Sequence, residues 1–433
     1  MRHWFKDEHM RSLLKNSSYL GASRIVAAIA SVATLALTGR ALGVILFGIL
    51  ILIHSYAQAA SSLSKFQTWQ IVIRYGGQGL AAGRPEDFKV ATGFSFGLDL
   101  LSGLVGMVFA MALLPLIGGW FGVPERYMTI ALLYCLVIPT MQAMTPGGVL
   151  RTLDRFDLLS WGTVVDPILK VILTAIAWAI KAPFVAYVAI WFACDLIGDL
   201  YQWWLTWREL KRREMSDALR PTLRPHPLKD AWRFAIRVNL ASSLGAAWGP
   251  IARLIVGGLL GAASAGLYRV AATLSDSAQK PIDLLSRAFY PEVMKMDPRT
   301  KKPWKLMLRG AALAGLFAVL AILIVFVAGE DLIRLIFGKD FVGAYSALVV
   351  LIIAPLLAMI SFPMPPMLYA LHRDQAPLVS RIVGTLLYLL IVAPLSWRFG
   401  LAGAAAAFVI GTAAMVLVLA AQLLREYRRV RAG

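Results

Sequence analysis

Apolar residues fall along this chain in blocks of 20 or more, separated by short segments rich in Lys and Arg. A helix of about 20 residues, rising about 1.5 Å per residue, crosses roughly 30 Å of hydrocarbon, so the pattern predicts membrane-spanning helices. Twelve are expected. The first six run Ser17–Thr38, Val44–Phe66, Val90–Leu116, Tyr127–Gly147, Leu159–Ile180 and Phe184–Thr206. The second six run Phe234–Leu260, Ser264–Tyr290, Leu308–Ala328, Tyr345–Leu371, Pro377–Trp397 and Leu401–Leu424. Spans two and eight carry polar residues through their whole length. The start, MRHWFKDEHMRSLLKNSSYLG, precedes an apolar run too long for a cleaved signal and without a small-x-small exit, so span one is expected to be retained.

Composition agrees with this reading. Of 433 residues, 59% are hydrophobic and 15% charged, against about 25% charged in a soluble domain. Cys135 and Cys194 lie far apart inside apolar blocks, and the five histidines are scattered, so neither a disulfide framework nor a metal site is indicated. The net charge of +19 suggests nucleic acid at first sight, but the basic residues lie between apolar blocks and form no single face. Sorted by side, 28 of the 43 Lys and Arg lie in segments on the same side as the termini and six in the opposite loops. The positive-inside rule then places both termini in the cytoplasm of a bacterial inner membrane.

The chain repeats itself. Shifted by 218 residues, span starts Val90, Tyr127 and Leu159 meet Leu308, Tyr345 and Pro377. Leu42, Gly43 and Gly48 fall on Leu260, Gly261 and Gly266, and LIGGWFG ending at Gly122 resembles LIRLIFG ending at Gly338 with a two-residue slip. Six spans per half give the halves one orientation, related by an axis along the membrane normal. The expected fold is all-α and polytopic, with residues 1–206 as one lobe, 207–233 as a basic cytoplasmic linker, and 234–433 as the second lobe.

Polar residues inside the spans carry the candidate chemistry. Arg269, Thr273, Asp276, Lys280, Asp283 and Arg287 recur every three or four residues, which puts them on one face of span eight. At the bilayer centre each charge costs about 2.5 to 3.5 kcal/mol, so such a face meets water or protein. Span two shows Ser55, Gln58, Ser62 and Lys65; span one Arg24, Ser31, Thr34 and Thr38; span seven Arg237, Asn239, Ser242, Ser243 and Arg253. Four polar faces fit a hydrated cavity with an excess of cations, suited to an anion such as a phosphate.

Two readings stay open for several of these residues. Lys65, Arg237 and Arg287 reach the cytoplasmic boundary by snorkelling or bind a ligand. Asp276 with Lys280, and Asp283 with Arg287, are i,i+4 pairs able to neutralise each other. Arg24, Arg253 and Arg269 have no acid at i±3 or i±4 and are the leading substrate ligands, with Lys280, Gln58, Asn239 and Lys65 beside them. Asp166 and Lys170 read as a structural pair. Asp195 and Asp199 share a face of span six, so either a cation from another helix meets them or one is protonated. With Asp276 and Asp283 they are candidates for ion coupling or internal pairing.

The segments GRALGVILFGILIL, GGLLGAASAGLYRVAATL and FGLAGAAAAFVIGTAA, together with their placement, make the chain similar to the Wzx-like oligosaccharide flippases. These form the polysaccharide-transporter branch of the multidrug/oligosaccharidyl-lipid/polysaccharide (MOP) exporter superfamily. The resemblance implies two six-helix lobes around a cavity of alternating access. It also implies flipping of an undecaprenyl-diphosphate-linked oligosaccharide for O-antigen, capsule or exopolysaccharide synthesis, beside a polymerase and glycosyltransferases of the same pathway. Lipid II flippases are similar but typically carry two further C-terminal spans. No cofactor is implied; membrane potential, H+ or Na+ would drive transport. The alternatives are a MATE-type drug or cation antiporter, which wants an acid where span one has Arg24, and a polytopic glycosyltransferase or ligase, which wants a large extramembrane loop.

Overall fold

A computed structural model describes the backbone of residues 8–432 except 142, 295, 297–299, 372 and 374. Side chains are described from 21 to 429, apart from those positions and 237–238, 240–246, 280–288, 290–292 and 294. The described residues are helical with short connections. Seven stretches among them are long and apolar enough to cross a membrane. Two of these, Gly21–Ala81 and Ala376–Arg429, each hold two spans, because the backbone leaves helical geometry at Gly43 and at Gly400. Spans seven and eight are the helices Ala231–Leu260 and Ala262–Met294, where only Ala247–Leu260 is strongly apolar. With the interrupted span four, the expected twelve are accounted for.

Span four is not the continuous helix expected over Tyr127–Gly147. It runs as Met128–Tyr134, tightens to a 3-10 turn at Cys135–Val137, and resumes at Thr145–Thr152. Pro139 lacks an N–H and its ring clashes with the preceding turn, and Pro146 suits the start of a new helix. The carbonyls freed by the break are met by span two: Lys65 Nζ donates to Pro139 O (2.8 Å) and Met141 O (2.5 Å), and Ser61 Oγ to Met141 O (2.9 Å). Span ten breaks in the same manner, into Ala344–Leu351, Ile353–Ser361 and Met364–Ala370. Pro355 removes the bond to Leu351 O, and Ser275 Oγ of span eight takes that carbonyl at 3.0 Å.

The internal repeat is visible in the backbone. Each of the six turns that follow odd-numbered spans contains a residue with positive φ: Gly43 (70°), Gly122 (85°), Lys181 (53°), Gly261 (85°), Gly338 (102°) and Gly400 (59°). They pair across the repeat as Gly43 with Gly261, Gly122 with Gly338 and Lys181 with Gly400. At Gly43 and Gly338 ψ is 172°, a region open in practice only to glycine.

Contacts divide the chain into two units, Met1–Ile255 and Val256–Gly433, so the division falls inside the helix of span seven. The segment 207–233 packs on the first unit. Ala218 and Ala231 lie in its apolar clusters, with Phe88, Leu210, Phe94 and Leu98. Thr222 N–H donates to Gly93 O (3.1 Å), Tyr75 Oη to Lys229 O (3.0 Å), and Lys89 pairs with Asp217 (3.0 Å). That bond holds the Asp217 carboxyl below the usual carboxylate range. Glycine is required at position 93, where a Cβ would stand 2.6 Å from Arg220 O. In the second unit, Phe289, Val293, Met367, Leu368, Leu419 and Leu423 form the main apolar cluster. Span nine leaves Leu320, Leu323, Ile324 and Val327 exposed, as a helix facing lipid does.

Candidate functional site

The first unit holds a chain of ionic and polar side chains at membrane depth, built mainly on spans two, four, five and six. Span two presents two faces at its middle. On one, Ser55 and Gln58, an i,i+3 pair, accept from Arg253 of span seven: Nε to Ser55 Oγ at 2.7 Å and Nη2 to Gln58 Oε1 at 2.6 Å. Arg253 and Gln58, both expected as ligands, are thus brought together. Arg253 is buried, at 5% exposed. Both acceptors are neutral and hold the plane of the guanidinium.

The preceding residue, His54, turns to the other partners. Its Nδ1 lies 3.1 Å from Tyr134 Oη and 3.5 Å from Asp195 Oδ2, while Tyr134 Oη donates to Asp195 Oδ2 at 2.7 Å. Lys170 Nζ reaches Asp195 Oδ1 at 2.6 Å and Asp166 Oδ1 at 3.0 Å. Of the two alternatives read for Asp195 and Asp199, a cation from another helix stands beside Asp195 in the form of Lys170. Gly198 makes the approach of span five possible, since a Cβ there would stand 2.5 Å from the Asp166 Cβ. Trp191 closes the group, with its ring edge-on to His54 at 5.2 Å and the Lys170 ammonium 5.4 Å from its centroid. Asp199, one turn beyond Asp195, lies within electrostatic reach of Asp195, Asp166, Lys170 and Lys65.

Lys65 departs from the role of an open ligand. It is 3% exposed, and its ammonium sits on the two carbonyls of the broken span four. Asp99 of span three completes that break, accepting from Thr68 Oγ1 (2.9 Å), Thr145 N (3.0 Å) and Met144 N (3.2 Å). A carboxylate at the start of Thr145–Thr152 answers the unpaired amides of that helix end.

The remaining expected residues lie on spans one, seven and eight. Arg24 is exposed on span one and Asn239 half-buried on span seven. In the second unit, Arg269 and Asp276 lie on one continuous helix, with Arg269 half-buried, Asp276 exposed and the two within electrostatic reach. The side chains of Lys280 and Asp283, and those of Arg237, Ser242, Ser243 and Arg287, lie outside the described residues. His54, Tyr134 and Trp191 carried no sequence signal as ligands, because single aromatic or imidazole residues in an apolar block read as core. Only the position of His54 beside Ser55 hinted at more. Among the described residues no group of three His, Cys, Asp or Glu has the disposition of a metal site.

Comparison with known proteins decides the family. The sequence profile of the Polysacc_synt family, described as polysaccharide biosynthesis protein, matches residues 13–296. The chain belongs to this family. It is 38% identical over 348 residues to the inner membrane protein YghQ of Escherichia coli (strain K12), a match covering 80% of the chain and 98% of YghQ. A solved structure of a multidrug resistance MATE family transporter of the MOP superfamily, inward-facing, superposes with a TM-score of 0.73 at 16% identity, covering 95% of the chain and 94% of the transporter. The lipid II flippase MurJ, in an inward closed conformation, gives 0.64 at 11% identity, covering 96% and 90%. This family member is therefore a multi-pass, all-α membrane protein with the fold seen in MOP transporters and in the lipid II flippase.

Proposed function

We propose that the chain flips a polyprenyl-diphosphate-linked oligosaccharide across a bacterial inner membrane, for the assembly of a cell-surface polysaccharide. Both termini are cytoplasmic in this reading, and the pathway's glycosyltransferases and polymerase act before and after it. The observation that carries it is Arg253, a guanidinium held at membrane depth by two neutral side chains, Ser55 and Gln58. A guanidinium fork held in plane suits the oxygens of a diphosphate, while the polyprenyl tail stays in lipid. Within the first unit Arg24 adds a second cation and Asn239 a neutral polar contact; Arg269 and Lys280 are the candidate ligands of the second unit. Membership of a polysaccharide biosynthesis family supports a glycan cargo. Carrying about two negative charges out of an inside-negative cell is favourable by roughly 2.3 kcal/mol per charge per 100 mV.

The test is head-group flipping of an undecaprenyl-diphosphate oligosaccharide in proteoliposomes. Arg253→Ala is expected to lower the rate at least tenfold, the order of about 1.4 kcal/mol or more for a lost charged contact. Arg253→Lys restores charge without the fork and is expected to recover only part. Equal rates in all three proteins would overturn the role of Arg253. A wild type that flips none of a panel of lipid-linked glycans but exports cationic drugs would overturn the substrate class.

A further inference from the structure

The end of the second unit that carries the C-terminus gathers cations from three parts of the sequence. Segments 291–309, 372–381 and 424–433 hold twelve Lys and Arg against Glu292, Asp297, Asp374 and Glu426, so eight positive charges stay in excess with every acid counted as paired. Contacts among the described residues bring the segments together. The Trp304 ring meets Tyr427 at 4.7 Å, and Glu426 takes both Arg373 (3.0 Å) and Arg429 (2.9 Å). Trp304, Leu306 and Met307 pack on the apolar cluster that includes Val293, Leu368 and Leu423. That packing decides which way the charges point. With Pro303 buried and Trp304 turned inward, Lys301, Lys302, Lys305 and Arg309 are exposed. On the helix Lys301–Phe337, Lys302, Lys305 and Arg309 continue at spacings of three and four into Leu313, Leu316 and Leu320, all exposed. One stripe thus passes from cations to the lipid-facing aliphatic side chains of span nine. From Lys302 to Leu320 it covers about 27 Å along the axis, enough to join head-group depth to acyl-chain depth.

We infer that this face binds an anionic phospholipid, whose phosphate rests on Lys302, Lys305 and Arg309 while an acyl chain lies along Leu313, Leu316 and Leu320. Cations and apolar side chains share one stripe, which an amphiphile matches and a soluble anion does not. Arg309, where the stripe changes character, offers a guanidinium fork to phosphate oxygens, and the two lysines add point charge. The first turn of the helix holds two lysines and no acid, although the open amides of a helix start favour negative charge. An anion supplied from outside the chain relieves both. Arg428, exposed beside Tyr427, adds to the same field. A zwitterionic head group sets its own ammonium against the cluster and is disfavoured. A polyprenyl diphosphate is a second source of phosphate, but the stripe points away from Trp304 and the apolar cluster, toward the bilayer, where phospholipid is in large excess. The site stands whether or not the chain flips a glycan.

The test uses the full-length protein in detergent, stripped of lipid, with phosphatidylglycerol and phosphatidylethanolamine as probes and bound lipid counted by native mass spectrometry. Wild type is expected to bind phosphatidylglycerol roughly tenfold more tightly than phosphatidylethanolamine. The triple variant Lys302→Gln, Lys305→Gln, Arg309→Gln is expected to lose that preference. A second triple, Arg208→Gln, Lys211→Gln, Arg224→Gln, removes the same charge from exposed positions of the first unit and is expected to keep it. Loss in both triples, or in neither, overturns the site. Should the first triple fail to fold, the single variants Lys302→Gln and Lys305→Gln decide: each is expected to weaken the preference several-fold, and wild-type behaviour in both overturns the site. Undecaprenyl diphosphate then serves as competitor. Displacement of phosphatidylglycerol by an equal or lower concentration of it overturns the assignment to phospholipid and makes the face a docking place for a polyprenyl lipid; failure to displace supports the phospholipid. No readout depends on transport, so a protein that flips no glycan leaves the site intact.

Discussion

Lys65 and Ser275 perform the same service in the two units. Each comes from the second span of its half and donates to carbonyls left open where the fourth span of that half is broken. The sequence showed Lys65 as one of four polar residues on a stripe, which fitted a ligand as well as a snorkelling side chain. What decides its role is Pro139, 74 residues away, and no local pattern reports that contact. Arg253 was legible because an arginine in an apolar block with no acid at i±3 or i±4 is rare enough to single out. His54 was not, because its meaning comes from Tyr134, Asp195 and Lys170 on three other helices. A substitution separates the structural residue from the functional one. Lys65→Ala strips Pro139 O of its side-chain donor, leaves Met141 O with Ser61 alone and leaves Asp99 with less compensation, so a loss of about 3 to 5 kcal/mol is expected for a broken buried charge contact. It is read as a large fall in the thermal midpoint in detergent. Arg253→Ala is expected to lower the midpoint less while reducing flipping more, so the two losses move in opposite order.

Hydrophobic periodicity and length located the elements well, because about 20 apolar residues leave few options in a bilayer. It failed where a span is interrupted and capped by neighbours. Pro139, Pro146, Pro355 and Pro363 stand inside these blocks, but a bend and a full break differ only in whether another helix supplies donors. The turns tell the reverse story. Matching Gly43 to Gly261 and Gly122 to Gly338 by sequence was enough to find residues of shared backbone conformation. Nothing stands within 4 Å of a Cβ built at Gly43 or Gly261, so the need for glycine there is conformational and not steric. Gly43→Ala is therefore expected to cost about 1 to 3 kcal/mol, and Gly261→Ala a similar amount. Lys181→Gly, at a position already in the left-handed region, is expected to leave the thermal midpoint within a degree or two. Equal effects of all three would show that the positive-φ turns do not bear the strain assigned to them.

For the molecule as a whole, charge and fold speak to different questions. The +19 excess says little about cargo, since 28 of the 43 basic residues lie in segments on one side of the membrane. It orients the chain. A membrane-impermeant maleimide is expected to label Arg126→Cys in intact cells and Arg428→Cys only after permeabilisation; the reverse would invert the topology. Both positions are exposed, and the native Cys135 and Cys194 are buried, so background labelling is low. In the proposed topology the odd-numbered spans of each unit end in outer turns, and each of these turns is short, the longest running from Gly118 to Tyr127. Such an outer surface has no loop large enough to enclose a sugar. Selectivity among glycans then has to be set by side chains within the bilayer, and relatives that carry different glycans would diverge along the inner helix faces while their outer turns stay alike.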